Sequence, residues 1–193
     1  NSLITSNKED IINSDGLIIP GVGSFKDAMK NIKNLNLYDS IVEFIENSKP
    51  VLAVCLGMQI LFSSSEEFGY TEGFGLLNGK IKKFIFKKDF QKYPVPHTGW
   101  NKINFSLDHQ NIILTNIENN SFMYFVHSYY LDFNDKNNNH LMNSTYANIA
   151  FCAGVRYKNL TGFQFHPEKS GSKGLLIYKN FKRLILNDKQ NIL

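Results

Sequence analysis

Cysteine is scarce in this chain. Only Cys55 and Cys152 carry thiols among 193 residues, too few for a disulfide framework, so a reducing, cytoplasmic setting is the expectation. Long apolar runs are missing as well: no stretch reaches the roughly 20 residues of a membrane-spanning helix, and no secretory leader pattern is seen. Nor is charge of one sign concentrated. Twenty-one Lys and Arg stand against 17 Asp and Glu, a net charge of +4, with one local run at Lys80, Lys82, Lys83, Lys87, Lys88 and Lys92. Without a nucleic-acid motif, that run reads as the solvated face of a hairpin, and neither nucleic acid nor a membrane is expected as a partner. No metal-ligand spacing occurs, and Gly21-Val22-Gly23 lacks the third glycine of a dinucleotide fingerprint, so no cofactor is expected. What remains is 42% hydrophobic content without a low-complexity linker, enough for one domain with a full core.

The stretch that carries chemistry is Val51 to Gln59. Four apolar residues, Val51, Leu52, Ala53 and Val54, run into Cys55, followed by Leu56, Gly57 and an amphipathic run through Phe62 that predicts a helix. Strand, tight turn and helix form a nucleophile elbow, which needs small residues two positions either side of the nucleophile; Ala53 and Gly57 meet that need. A thiol at a helix N-terminus is expected to favour its thiolate form. The competing reading is a buried cysteine acting as a small hydrophobe.

Upstream, Gly16 to Pro20 predicts a short buried strand, and Gly21-Val22-Gly23 a turn. Ser24 is the expected N-cap of a helix with Phe25, Ala28, Met29 and Ile32 on one face. A second helix carries Leu37, Ile41, Phe44 and Ile45, and Pro50 opens the strand ending at Cys55. Strand, helix and strand with short connections predict a parallel βαβ arrangement, whose sites gather beyond the carboxyl ends of strands. The middle predicts short strands over 79–105 and 122–133, with a proline loop from Tyr93 to Asn101. Asp132 to Ser144 reads as an exposed asparagine-rich loop, and His109 and His140 as solvated. Strands over 150–157 and 160–165 and a helix from about Ser172 to Leu186 complete the pattern.

Between the last strand and that helix stands His166-Pro167-Glu168. Proline keeps its predecessor extended, and side chains two apart on extended backbone face the same way, so Glu168 can orient the imidazole of His166. Cysteine, histidine and carboxylate suit attack on an acyl carbon. The backbone N–H of Leu56 and the Val22 loop are the expected oxyanion donors.

Pro20-Gly-Val-Gly23, Cys55-Leu-Gly-Met-Gln59 and Phe165-His-Pro-Glu-Lys169 together resemble the class I (triad) glutamine amidotransferases over essentially the whole chain. Pro20 to Met29, Val95 to Asn101 and Phe125 to Tyr129 are similar to the glutaminase subunits of imidazole glycerol phosphate synthases. The resemblance implies an α/β, single-domain, three-layer fold with a mostly parallel central sheet and an additional antiparallel region. It implies Cys55 as nucleophile, His166 as base then acid, and Glu168 as orienter. Gly21, Val22, Gly23 and Leu56 supply oxyanion groups. Gln59 and Glu67 bind glutamine, with main-chain groups near Ser128 and Tyr129. It also implies a heterodimer with a (β/α)8-barrel cyclase subunit, faced by His97, Gly99, Trp100, Asn101 and Lys169. Trp100 admits a core role as well. Family members open with a strand-helix unit that is absent here, so an N-terminally incomplete chain is expected; Thr98 stands where a methionine is common. Three other readings stay open: a paralogue feeding a sugar-acting barrel enzyme in surface-glycan synthesis, a cysteine peptidase or γ-glutamyl hydrolase, and a non-enzymatic interaction module.

Overall fold

A computed structural model describes residues 2–90, 92–106, 112–132 and 139–190. In chain order the elements are α1 (Lys8–Asn13), β1 (Leu17–Ile19), α2 (Phe25–Asn34), α3 (Tyr38–Glu46), β2 (Val51–Val54) and α4 (Leu56–Gln59). Next come β3 (Phe62–Ser65), β4 (Thr71–Glu72), β5 (Leu77–Lys83), β6 (His97–Lys102), β7 (Asn104–Phe105), β8 (Phe122–His127) and β9 (Tyr129–Leu131). The chain continues through β10 (His140–Tyr146), β11 (Ile149–Tyr157), β12 (Leu160–Phe163) and α5 (Gly171–Gln190).

The main sheet has the order β1-β2-β12-β11-β10-β7. Its ladders β1–β2 and β2–β12 are parallel, whereas β12–β11, β11–β10 and β10–β7 are antiparallel, so the parallel part is confined to three strands of a mixed sheet. Smaller sheets β4-β3-β5-β9 and β6-β8 stand beside it. Strand β2 lies between β1 and β12 and is buried along its whole length. Successive side chains of a strand point to opposite faces, and β2 divides accordingly. Val51 and Ala53 join one core with Ile11, Met29, Ile41 and Phe44 of α1 to α3, while Leu52 and Val54 join a second core with Ile177 and Phe181 of α5. Helices on both faces of a sheet give the three layers.

Local chemistry accounts for the helix starts. Ser24 caps α2, its Oγ accepting from Asp27 N–H at 3.1 Å, and Phe25 and Met29 are buried while Ala28 and Ile32 pack partly against the same core. Leu37 at the N-cap of α3 and Ile41, Phe44 and Ile45 on it reach the core at helical spacing.

Five expectations need correction. The helix after Cys55 is a single turn and Phe62 already begins β3: three consecutive serines are weak helix formers, and the segment pairs with β5. The proline loop is shorter than read, since His97–Lys102 is a strand in register with β8 from His97↔His127 to Lys102↔Phe122. Within the asparagine-rich segment, His140–Tyr146 is a strand between β11 and β7, with Leu141, Met142 and Ser144 buried. His140 is therefore half-buried on β10. The lysine run does not form a hairpin: Lys80, Lys82 and Lys83 sit on β5, an inner strand between β3 and β9, with Lys80 3.2 Å from Glu66 and Lys82 3.7 Å from Asp132. His109 and residues 133–138 lie outside the described residues. No helix among the described residues is long and apolar enough to cross a membrane.

Candidate active site

Three adjacent parallel strands deliver three sequence motifs to one edge of the sheet. The register pairs Ile19 with Ala53 and Val54 with Phe163. Pro20 to Gly23, Cys55, and His166 therefore all leave the sheet at the carboxyl ends of neighbouring strands. The Cys55 N–H donates to Phe163 O at 2.7 Å, tying the elbow to the strand that leads to His166.

Cys55 has φ 53° and ψ −111°, a conformation that costs a non-glycine residue about 1–3 kcal/mol and lifts its side chain out of the strand. Gly57 has no room for a side chain because the end of the neighbouring parallel strand β1 lies against the turn. A Cβ on Gly57 would lie 1.9 Å from Ile19 O, and one on Gly21 would lie 2.8 Å from Leu56 Cβ and 2.9 Å from Gly57 N. The close approach is between the elbow and the loop following β1, so the glycine pattern of both motifs has one steric cause.

Cys55 is 7% exposed. Burial pushes its pKa up to about 11; the N–H of Leu56, the amide of Gln164 and the charge of Lys169 offset this in part, and the carboxylate of Glu168 adds to it. The expected thiolate is thus not the resting form. Desolvation outweighs a helix terminus that is only one turn long, so the sulfur depends on a base to take its proton.

That base has the right tautomer. His166 Nδ1 lies 2.7 Å from Glu168 Oε1. A carboxylate can only accept, so Nδ1–H donates and the Nε2 lone pair is left for the cavity. The two residues meet across a tight turn, with His166 extended at φ −100°, ψ 99° and Pro167–Lys169 in a 3₁₀ turn, instead of along one extended segment. The backbone of His166 is held at both ends: its N–H donates to Tyr124 O at 2.9 Å, and its carbonyl accepts from Ser170 Oγ at 2.7 Å. The phenol of Tyr178 reaches Glu168 Oε2 at 3.4 Å, and burial together with the carboxylate pushes its own pKa to about 12.

Cys55 and His166 line a common cavity of about 340 Å³ together with Val22, Gly23, Leu56, Gln59, Glu67, Pro96, Val126, His127, Ser128 and Tyr129. Gly21 packs beneath, against Leu56. Both N–H groups of Gln59 are committed, one to Tyr129 O and one to Gln164 Oε1, each at 2.9 Å, so its carbonyl is what it can offer a ligand. Glu67 Oε2 accepts from Phe25 N–H at 2.6 Å, joining the cavity wall to the first residue of α2. The main chain of Ser128 and Tyr129 connects β8 to β9 at the cavity rim.

Of the residues expected to face a partner, Trp100 is 54% exposed, which excludes the core role, and Lys169 is exposed with its ammonium 6.0 Å from the Tyr124 ring centre. Gly99 and Asn101 are half-buried, and Asn101 Nδ2 donates to Thr145 O at 2.7 Å. His97 departs from the expectation: it is 3% exposed and stacked on Tyr146 at 4.0 Å, because the first residue of β6 points inward.

Sequence reasoning missed Gln164, His127 and Tyr178. Gln164 Nε2 stands 3.7 Å from Cys55 Sγ, and His127 Nδ1 2.8 Å from Tyr129 O. The available signal was a polar residue set at the end of each of two apolar stretches, in Phe163-Gln-Phe165 just past β12 and in Phe125-Val-His127 closing β8. Tyr178 carried none.

The glutamine amidotransferase class-I family model matches residues 2–183. The imidazole glycerol phosphate synthase subunit HisH of Geobacillus sp. (strain WCH70) is 41% identical over 184 residues, covering 95% of this chain and 85% of that protein. The subunit of the same name from Methanosarcina acetivorans is 45% identical over 183 residues, with 94% and 85% covered. Among solved structures, a glutamine amidotransferase superposes with a TM-score of 0.66 at 14% identity, over 94% of this chain and 84% of that one. PurLQS from Thermotoga maritima gives a TM-score of 0.60 at 18% identity, over 88% of this chain and 79% of the matched one. The structural likeness concerns the fold; the family match and the close relatives go further, and the chain belongs to the class-I glutamine amidotransferase family.

Proposed function

We propose that this chain is the glutaminase subunit of an imidazole glycerol phosphate synthase. It hydrolyses glutamine to glutamate and ammonia and delivers the ammonia to a (β/α)8-barrel cyclase subunit in a heterodimer. The observation that carries the chemistry is the cavity shared by Cys55 and His166, with Glu168 behind the histidine. The similarity to two HisH subunits supports the choice of pathway.

Glutamine enters with its α-ammonium toward acceptors, the Gln59 carbonyl and the Glu67 carboxylate, and its α-carboxylate toward the main chain of Ser128 and Tyr129. His166 Nε2 takes the thiol proton as Cys55 Sγ bonds to the side-chain amide carbon. The oxyanion forms beside the Leu56 N–H, which already donates to the sulfur, and the Val22 loop adds a second donor. Glu168 stabilises the imidazolium. The C–N bond then breaks, His166 returns the proton to the departing nitrogen, and ammonia leaves a glutamyl thioester. Water, deprotonated by His166, attacks that thioester and releases glutamate and the thiol. In the partner, ammonia is added to a phosphoribulosyl intermediate, giving imidazole glycerol phosphate and aminoimidazole carboxamide ribotide. Trp100, exposed on β6 near Gly171, and Lys169 are the side chains offered to that partner.

Glutamate release from glutamine, measured with and without the barrel subunit, tests the reading. Partner-dependent turnover that vanishes in Cys55→Ala is expected; partner-stimulated turnover that survives the substitution defeats it. Stimulation only by a barrel enzyme acting on another acceptor would keep the glutaminase and replace the pathway.

A further inference from the structure

An unbroken line of hydrogen-bonded groups leads from the start of β6 to the nucleophile. His97 Nδ1 is 3.1 Å from His127 Nε2, and His127 Nδ1 is 2.8 Å from Tyr129 O. Tyr129 O also accepts from Gln59 Nε2, which donates in turn to Gln164 Oε1, and Gln164 Nε2 faces Cys55 Sγ at 3.7 Å.

Donor and acceptor roles along this line are fixed. Tyr129 O can only accept, so His127 Nδ1 carries a proton there. Burial holds the pKa of His127 down to about 3 and that of His97 to about 4, so both rings are neutral at physiological pH. His127 Nε2 is then an acceptor, and His97 Nδ1–H must donate to it. At Tyr129 the direction reverses: the carbonyl receives from both sides, and Gln59 donates both ways. No proton can be passed through a group that only accepts. The line can only orient.

Packing does not require these groups. His97 lies among Phe125, Phe151 and Tyr146, and His127 among Phe84, Phe125 and Phe151, surroundings that a phenylalanine at either position would fill. What a phenylalanine at 97 would not supply is the donor for His127 Nε2. A buried acceptor left without a donor costs about 1–3 kcal/mol, enough to turn the ring away from Tyr129 O.

We infer that His97 is a positioning residue for Cys55, acting through His127, the Tyr129 carbonyl, Gln59 and Gln164 to aim the amide that donates to the sulfur. This rests on the glutaminase reading for its kinetic consequence, but its geometric consequence can be measured without glutamine.

The test compares three variants in the complex with the barrel subunit. His97→Phe keeps the ring volume and removes the donor; His97→Asn keeps an N–H at the same distance from the backbone; His97→Gln moves the donor one carbon further out. For His97→Phe and His97→Gln, glutaminase kcat is expected to fall about tenfold while KM for glutamine changes by less than about threefold. His97→Asn is expected to stay within about twofold of the native kcat. Alkylation of Cys55 by iodoacetamide, followed by peptide mass, should slow about threefold in His97→Phe and His97→Gln and not in His97→Asn. Equal behaviour of Phe and Asn, or native rates for Phe, overturns the inference. Should the native complex fail to hydrolyse glutamine, the functional reading falls, while the ratio of alkylation rates still decides the role of His97.

Discussion

His166 Nδ1 and Glu168 Oε1 lie 2.7 Å apart across Pro167, and this pair fixes which nitrogen is left to act on Cys55. Removing the imidazole removes the base that takes the thiol proton, whereas removing the carboxylate leaves a base whose tautomer is free to change. His166→Ala should reduce partner-stimulated glutaminase to the level of Cys55→Ala. Glu168→Ala should cost less, on the order of 10⁴-fold in kcat against roughly 10⁶-fold for loss of the base. Steady-state kinetics of the complex checks the order, and a larger loss at Glu168 than at His166 would contradict it.

The two cysteines should differ in reactivity for a reason visible in their surroundings. Cys55 opens onto the cavity with its pKa pushed to about 11, and Cys152 is fully buried, its Sγ directed at Gly154 O and its pKa pushed to about 12. Iodoacetamide should modify Cys55 slowly at pH 8 in the isolated chain, faster as pH rises toward 11, and should leave Cys152 untouched until the chain unfolds. A diazo-ketone analogue of glutamine should label Cys55 alone. Comparable labelling of Cys152 in the folded protein would reverse the assignment.

Gly57→Ala should destabilise the fold by about 3 kcal/mol, since its Cβ would stand 1.9 Å from Ile19 O and backbone has to move. Urea unfolding followed by circular dichroism measures it. Gly23→Ala, where the Cβ would meet nothing within 4 Å but φ is +98°, should cost less, about 1 kcal/mol.

Acid should weaken the fold through the buried histidine pair. Native pKa values of about 4 for His97 and about 3 for His127 lie below the unfolded value of 6.5. Above pH 6.5 both states are neutral and the pair has no effect on the pH dependence. Below it the unfolded chain binds protons that the native rings refuse, so stability falls with pH by up to about 1.4 kcal/mol per unit for each histidine. Unfolding free energies between about pH 6.5 and 5 should show this slope, and His97→Asn should reduce it by roughly half. An unchanged slope would mean that the pair is not neutral in the native protein.

The chain's own chemistry determined the three motifs and their common edge. Strand length, a proline after Ile19 and another after His166, and the small residues around Cys55 are local constraints, and local constraints can be read residue by residue. Ser24 as a cap and the apolar faces of α2 and α3 were legible for the same reason. Tertiary structure decided the rest. Whether His97–Lys102 and His140–Tyr146 form strands depends on β8 and β11, which satisfy their backbone groups. The protonation of Cys55 depends on how much water the assembled sheet removes, which a helix-terminus argument does not contain. The amides of Gln59 and Gln164, 105 positions apart, become one unit only when β12 lies beside β2. Sequence identified a cysteine, a histidine and a carboxylate able to react. Only the packing of neighbouring strands made the thiol a protonated one that needs its base, and surrounded it with groups that hold it in line.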